Sequence, residues 1–311
     1  MQRLLTSAAL VFLLVATAAA FAVTERLKLT KSPIYRTVVG PKLGFSPTCG
    51  CARGHATVKF SLRHGDTLTA TVVDAGRHDV RTLAGGVHVA RGETSFRWDG
   101  KTDAGALAHD GTYRVKVHLA RAHQTIVLPN PIRLDTQAPK IVNVVQNRDV
   151  FSPDHDRQAD FVRFSYTFSK PARLTLFLGG RRILLTQFHP QSGKVAWAGN
   201  AHGHLLRPGT YTLEVGALDL AGNSTPAADR WRVHVRLRYI ALAAKRIPAR
   251  AGKPFEIGVS TDAIRYRWQL GKRKGRNGGG VLRLRAPDRP GSYTLSVSER
   301  GHVDRARVIV K

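Results

Sequence analysis

The feature that most constrains this chain is a stretch that occurs twice. Phe96 to Val117 reads FRWDGKTDAGALAHDGTYRVKV, and Val195 to Val215 reads VAWAGNAHGHLLRPGTYTLEV. Trp98 corresponds to Trp197, and Gly111-Thr112-Tyr113 to Gly209-Thr210-Tyr211. The Trp-to-Tyr separations are 113 − 98 = 15 and 211 − 197 = 14 residues. After Tyr113 the first copy alternates, with Tyr113, Val115, Val117 and Leu119 on one side and Arg114, Lys116 and His118 on the other. A period of two is that of a strand with one buried face. Asp99-Gly100 and Asp110-Gly111 mark turns, because Gly accepts positive φ and Asp bonds nearby backbone. The residues between them are too few for a helix and two loops. The stretch reads strand, loop, strand, with Trp98 and Tyr113 as core anchors.

The recurrence extends upstream. Phe45-Ser46-Pro47 matches Phe151-Ser152-Pro153, an offset of 151 − 45 = 106 residues, and each is followed by an alternating run, Val58 to Leu62 and Val162 to Phe168. A repeat of that length is a whole domain. A fainter third echo is Gly291-Ser292-Tyr293-Thr294-Leu295-Ser296-Val297.

The WDGxxDAGxxxxDGTYxVxV pattern of residues 98–117 resembles the immunoglobulin-like domain of the FlgD/Vpr type, found in the flagellar hook-capping protein and in many bacterial surface and secreted proteins. The first copy matches across Phe45 to Leu119; the second departs where Ala198-Gly199-Asn200 replaces Asp-Gly. The order of units is similar to actinobacterial exported proteins that begin with a membrane segment and carry such domains in tandem. The resemblance implies a β-sandwich fold and names no ligand.

Short alternating runs between turn signals, with no long amphipathic helical stretch after the N-terminus, independently say all-β. The expected architecture is tandem immunoglobulin-like β-sandwiches behind one N-terminal hydrophobic helix. Residues 1–24 read as a signal peptide or membrane anchor and 25–44 as a tether with room for one short strand. Sandwiches are expected over 45–136, 137–238 and 239–311. The first boundary falls in Leu128 to Lys140, LPNPIRLDTQAPK, whose three prolines stiffen a connection and cannot sit in a central strand.

Leu4 to Val23 carries no charge and approaches the ~20 apolar residues that span a bilayer. Small-x-small sites at Ala18-Ala19-Ala20 and Ala20-Phe21-Ala22 fit a cleaved secretory signal, and the length of the apolar run fits an uncleaved anchor. Either implies export, to the outer face of the membrane or to the medium.

Cys49 and Cys51 are the only cysteines. Three readings stay open: a disulfide, which an oxidising exterior favours; two free thiols; and a metal or redox site with His55 nearby, although metal sites need about four ligands.

Asp154, Asp156 and Asp160 offer carboxylates on one short loop, and calcium takes ~6–8 oxygens from such loops. No Gly stands at the sixth position, no Glu closes the loop, and Arg157 sits in its middle, so an Asx-type turn is the competing reading. Asp219 to Asn223, DLAGN, reads as an Asp-stabilised turn. His202 and His204 are a pair without a third ligand.

The net charge is +28, from 49 Lys plus Arg against 21 Asp plus Glu. Such a surface attracts polyanions, and a bias to Arg serving only solubility is the alternative. The cleanest alternation is RWRVHVRLR. It is expected to point Trp231, Val233, Val235 and Leu237 inward, and Arg230, Arg232, His234, Arg236 and Arg238 into solvent. Gly271 to Gly280, GKRKGRNGGG, reads as a flexible loop carrying Lys272, Arg273, Lys274 and Arg276. Exposed aromatics interleaved with charge are lacking, and with export this argues against nucleic acid.

No GxSxG, HExxH, phosphate loop or GxGxxG appears. The expectation is a non-enzymatic surface or secreted spacer and binding module, with no cofactor beyond calcium. Its partner would be an anionic envelope polymer or another surface protein, with membrane contact through the N-terminal segment if that is retained. An accessory module that steadies a partner catalytic domain is the alternative.

Overall fold

The computed structural model describes residues 11–22 and 31–311. Residues 11–22 are helical with exposed side chains. The rest of the candidate membrane segment Leu4 to Val23, and the residues that follow it up to 30, lie outside the described residues. Among the described residues no helix is long and apolar enough to cross a membrane. The chain divides into two compact units, 1–136 and 137–311.

The first unit holds β1 (Ile34–Gly40), β2 (Ala56–Leu62), β3 (Asp66–Val73), β4 (Asp79–Val89), β5 (Gly92–Trp98), β6 (Gly111–Leu119), β7 (Gln124–Val127) and β8 (Ile132–Leu134). One sheet has the order β1-β2-β5 and the other β4-β3-β6-β7, with β8 beside β6. Between them lies a core that includes Phe60, Leu62, Leu68, Val72, Trp98, Val115 and Val117. The alternation behind the sequence reading is present: Tyr113, Val115, Val117 and Leu119 are buried. The span 25–44, read as a tether with room for one short strand, holds β1, which belongs to the first sandwich. β1 pairs antiparallel with β2, and Ile34 and Val39 enter the core. The apolar residues of β1 are spaced five apart across a register shift between Tyr35 and Val38, which hides them from a period-two reading.

Trp98 caps that core. Its Nε1 donates to the carbonyl of Lys101 at 2.8 Å, and its ring packs edge-on against Phe45 and Tyr113, with centroids 5.4 and 4.8 Å away. Gly100 has φ 78°, and a Cβ there would lie 2.4 Å from Pro47 Cγ. The turn therefore needs glycine for both conformation and space.

The second unit contains two sandwiches. The first is built from β9 (Ile141–Gln146), β10 (Val150–Phe151), β11 (Val162–Phe168), β12 (Ala172–Leu178), β13 (Arg181–Leu185), β14 (Ser192–Trp197), β15 (Asn200–Ala201), β16 (His204–Leu205), β17 (Gly209–Asp219) and β18 (Trp231–Leu237). Its sheets run β14-β11-β9 and β10-β18-β17-β12-β13, with β15-β16 a separate hairpin. Trp197 repeats the role of Trp98. Its Nε1 donates to Asn200 O at 2.9 Å, and Phe151 lies 5.5 Å away. The Asp-Gly departure at Ala198-Gly199-Asn200 keeps the glycine that matters. Gly199 has φ 81°, and Leu237 Cδ1 lies 3.0 Å from where its Cβ would be.

The other sandwich is built from β19 (Ala241–Leu242), β20 (Arg246–Ala249), β21 (Pro254–Ser260), β22 (Tyr266–Leu270), β23 (Arg273–Asn277), β24 (Val281–Arg285), β25 (Gly291–Glu299) and β26 (His302–Val310). Its sheets are β19-β21-β24 and β20-β26-β25-β22-β23, around a core that includes Ile257, Tyr266, Leu282, Leu295, Val297 and Val308. Each of the three sandwiches ends the same way, with an early segment lying parallel beside the last strand: Phe45 on Leu134, β10 on β18, and β20 on β26.

One expectation fails here. Residues 273–277 are a strand paired with β22, not part of a flexible loop. The glycine that made the segment look loose, Gly275, is required by packing. The Trp268 indole lies 2.8 Å from where its Cβ would be, so the strand can approach only without a side chain.

Candidate functional site

The stripe on β18 is narrower than the alternation implies. Val233, Val235 and Leu237 are buried, and Arg232, His234 and Arg236 are exposed. Trp231 was expected inward but is 40% exposed. It starts β18 where the neighbouring strand is missing, since β10 reaches only Arg236 and Leu237. Arg230 was expected in solvent but is largely covered. Its guanidinium lies 3.6 Å from the Phe177 ring centroid and donates to Glu214 Oε2 at 3.1 Å. Arg238 is half-buried and donates to Ser260 Oγ at 2.9 Å. The free cations of this stripe are Arg232 and Arg236. They flank a trough of about 640 Å³ that is also lined by Gln146, Asp149, Trp231 and His234. Glu214 lies across from Arg232 in the ladder, so the surface carries both signs.

Of the basic residues between Gly271 and Gly280, Lys272 is exposed on the turn and Arg273 is tied to the sandwich by a bond to Arg285 O at 2.7 Å. Lys274 and Arg276 point away from the core, because Gly275 between them faces Trp268. β23 therefore contributes to an outward sheet face together with residues that the sequence reading did not single out, Arg267, Arg305 and Arg307. Their common face is visible only once the register is known.

Cys49 and Cys51 form a disulfide, and no described cysteine is free. His202 and His204 are both exposed on the β15-β16 hairpin and join no group of metal-ligating side chains among the described residues. Asp219 accepts hydrogen bonds from the backbone of Gly222 and Asn223, both at 2.8 Å, and Lys170 pairs with it at 2.7 Å. It is a turn-former with φ 103° at Gly222.

Of the three carboxylates of the 154–160 loop, Asp160 does not converge with the other two. Asp160 turns back to accept the backbone N–H groups of His155 and Arg157 at 2.7 and 2.9 Å. Asp154 and Asp156 instead meet Glu299 at the end of β25, with ligand-type oxygens within 4.8 Å of one another. Ser152, in the same loop, donates to Asp262 of the following sandwich. Asp154 Oδ2 is buried and has no hydrogen-bond partner. Burial raises the Glu299 carboxyl to about 7, reinforced by Asp154 and Asp156 and opposed by Arg300. A protonated Glu299 can donate to Asp154, whereas an ionised one leaves carboxylate oxygens facing each other. Burial likewise raises Asp262, with Asp156 and Asp154 adding to it and the Ser152 hydroxyl holding it down.

Residues 50–123 match the FlgD Ig-like domain family. Among solved structures, the chain is similar to titin domains I67–I69 in an E-to-A variant, at 13% identity, covering 83% of this chain and 92% of that one, with a TM-score of 0.30. It is similar to a structure concerned with host cell surface retention of a 1.5-MDa bacterial ice-binding adhesin, at 12% identity over 90% of this chain and 99% of that one, TM-score 0.30. FlgD from P. aeruginosa is 20% identical over 37% of this chain and 82% of its own, TM-score 0.24. No curated protein matches the sequence.

Proposed function

We infer, from a chain whose residues 50–123 carry a FlgD Ig-like domain and whose second unit adds two more sandwiches, that this is a non-enzymatic spacer and binding module acting outside the cell membrane. The observation that carries the reading is that the residues of the repeated motif, the turn aspartates and both cysteines are committed to the scaffold. The Trp and Tyr residues of the repeated motif hydrogen-bond to turn carbonyls, Asp66 and Asp219 hold turn N–H groups, and Cys49 and Cys51 are paired. The exposed charge is predominantly cationic, in keeping with a formal charge of +28. Its partner on this reading is an anionic polymer of the envelope. The N-terminal apolar segment supports export, as a cleaved signal or as an anchor. The test is protease added to intact cells. Loss of the protein while a cytoplasmic marker survives supports the reading, and survival of the protein contradicts it.

Calcium enters the same reading in altered form. Asp154, Asp156 and Glu299, not Asp160, are the residues that would supply oxygens, and the convergence of those oxygens within 4.8 Å, with Asp154 Oδ2 buried, is what favours it. Calcium titration followed by calorimetry checks this; absence of heat at millimolar calcium contradicts it, since extracellular calcium modules bind at about 10⁻⁴–10⁻³ M.

A further inference from the structure

The five-stranded sheet β20-β26-β25-β22-β23 turns one face to the core and the other to solvent. Its cross-strand pairs give the composition of the outer face row by row. One row is Arg276, Arg267, Ser298, Val303; the next is Lys274, Gln269, Ser296, Arg305; the third is Thr294, Arg307, Arg246. All six cations are exposed, and among the described residues none of them is ion-paired with a carboxylate. The five strands contain only two acidic residues, Glu299 and Asp304. Both fall on the inward phase, in step with Val297 and Ala306. The outward residues of these rows are thus of one sign, with Glu299 at their margin beside Arg267 and Ser298, whereas on the β18 stripe Glu214 and Asp149 stand among the cations.

We propose that this outer face binds a linear phosphodiester polymer of polyol units, laid diagonally from Arg276 and Arg267 to Arg307 and Arg246. The inference rests on the surface-binding reading above and names the site and the ligand chemistry. Charge complementarity selects a polyanion. Five of the six cations are Arg, whose planar fork takes two oxygens of a phosphate at once. The neutral centre of the face is Ser296, Ser298, Thr294 and Gln269, short donors suited to the remaining phosphate and hydroxyl oxygens. Two hollows lie along the track. One, of about 610 Å³, is lined by Arg265, Arg267, Arg276, Ser298 and Arg300, with Glu299 the one carboxylate in its wall. The other, of about 350 Å³, is lined in part by Arg246, Thr294, Arg305 and Arg307. With strands about 4.8 Å apart, the five-strand width is roughly 20 Å, enough for several repeating units of an extended polymer. No aromatic side chain stands on this face to stack on bases, which disfavours nucleic acid. Val303 is its one exposed large apolar residue in these rows, too little to anchor in a bilayer.

The test measures retention of the full-length protein on immobilised poly(glycerol phosphate) at 50 mM NaCl, for wild type, Arg305→Glu/Arg307→Glu and Arg232→Glu/Arg236→Glu. Both double variants lower the net charge by four, so a difference between them reports location and not total charge. The expected result is a loss of tenfold or more in affinity for the Arg305/Arg307 variant and less than threefold for the Arg232/Arg236 variant, with unchanged thermal transitions. The milder Arg267→Ala/Arg276→Ala pair should show a weaker loss of the same kind, and stands in if the reversal disturbs folding. Equal binding by wild type and the Arg305/Arg307 variant overturns the site while leaving surface binding intact. Tighter binding to phosphatidylglycerol vesicles or to polyuridylate than to the polymer overturns the ligand. Failure of wild type to bind any of the three overturns the surface-binding reading itself.

Discussion

The hydroxyl of Tyr113 donates to the carbonyl oxygen of His109, four residues earlier, at 2.6 Å. The same bond recurs from Tyr211 to Arg207 at 2.6 Å and from Tyr293 to Arg289 at 2.9 Å. In each sandwich a Gly-Thr-Tyr or Gly-Ser-Tyr strand start is thereby tied to the turn before it. Removing the hydroxyl leaves a turn carbonyl without its partner, so Tyr113→Phe should destabilise the first unit by about 1 kcal/mol. Urea unfolding checks this, and an unchanged midpoint contradicts it.

Trp98 is fully buried in one core and Trp197 nearly so in another. Emptying either site should cost roughly 3–5 kcal/mol. Because the cores are separate, Trp98→Ala should lower only the transition of the first unit in calorimetry, and Trp197→Ala only that of the second. A single transition shifted equally by both variants would count against separate cores.

The Glu299 carboxyl, raised to about 7 chiefly by burial, gives a pH dependence of definite sign. A carboxylate with a raised folded value stabilises the fold fully below its ordinary value of 4.5 and loses that contribution as pH rises through about 7. The groups facing it are Asp154, Asp156 and Arg300. The melting temperature of the second unit should therefore fall between pH 5 and pH 7.5, and Glu299→Gln should flatten the fall. On the calcium reading, millimolar calcium at pH 7.5 restores the melting temperature in wild type and not in Glu299→Gln. A melting temperature flat with pH in wild type is the contrary result.

Cys49 and Cys51 should resist alkylation in protein isolated without reductant and label after it is added. Immediate labelling of both without reductant contradicts the pairing.

What the sequence made legible was local. Trp98, Tyr113 and their counterparts were readable because the Trp and the Tyr of each copy lie within sixteen residues of each other, at fixed spacing from a turn glycine. The outward phase of β18 was legible too, but not its neighbours. Phase alone does not reveal that β17 sets Glu214 and β12 sets Phe177 against Arg230. Glu299 stands 299 − 156 = 143 residues beyond Asp156, so the loop was read with Asp160 as the third carboxylate. The cationic face was hidden for a related reason. It is assembled from strands that are basic only one or two residues at a time, and one of them carried a glycine that imitated a loop.

The central claim is that the surface charge of this protein is a binding feature. The most direct measurement is the dissociation constant of the full-length protein for poly(glycerol phosphate) at 50 and 200 mM NaCl. Displacing counterions from several phosphates of a single-chain polyanion makes affinity fall steeply with salt, by roughly 10²-fold or more between these concentrations when six contacts form. The account predicts tight retention at 50 mM and a fall of that order by 200 mM. Undetectable binding at 50 mM, or an affinity indifferent to salt, would contradict it.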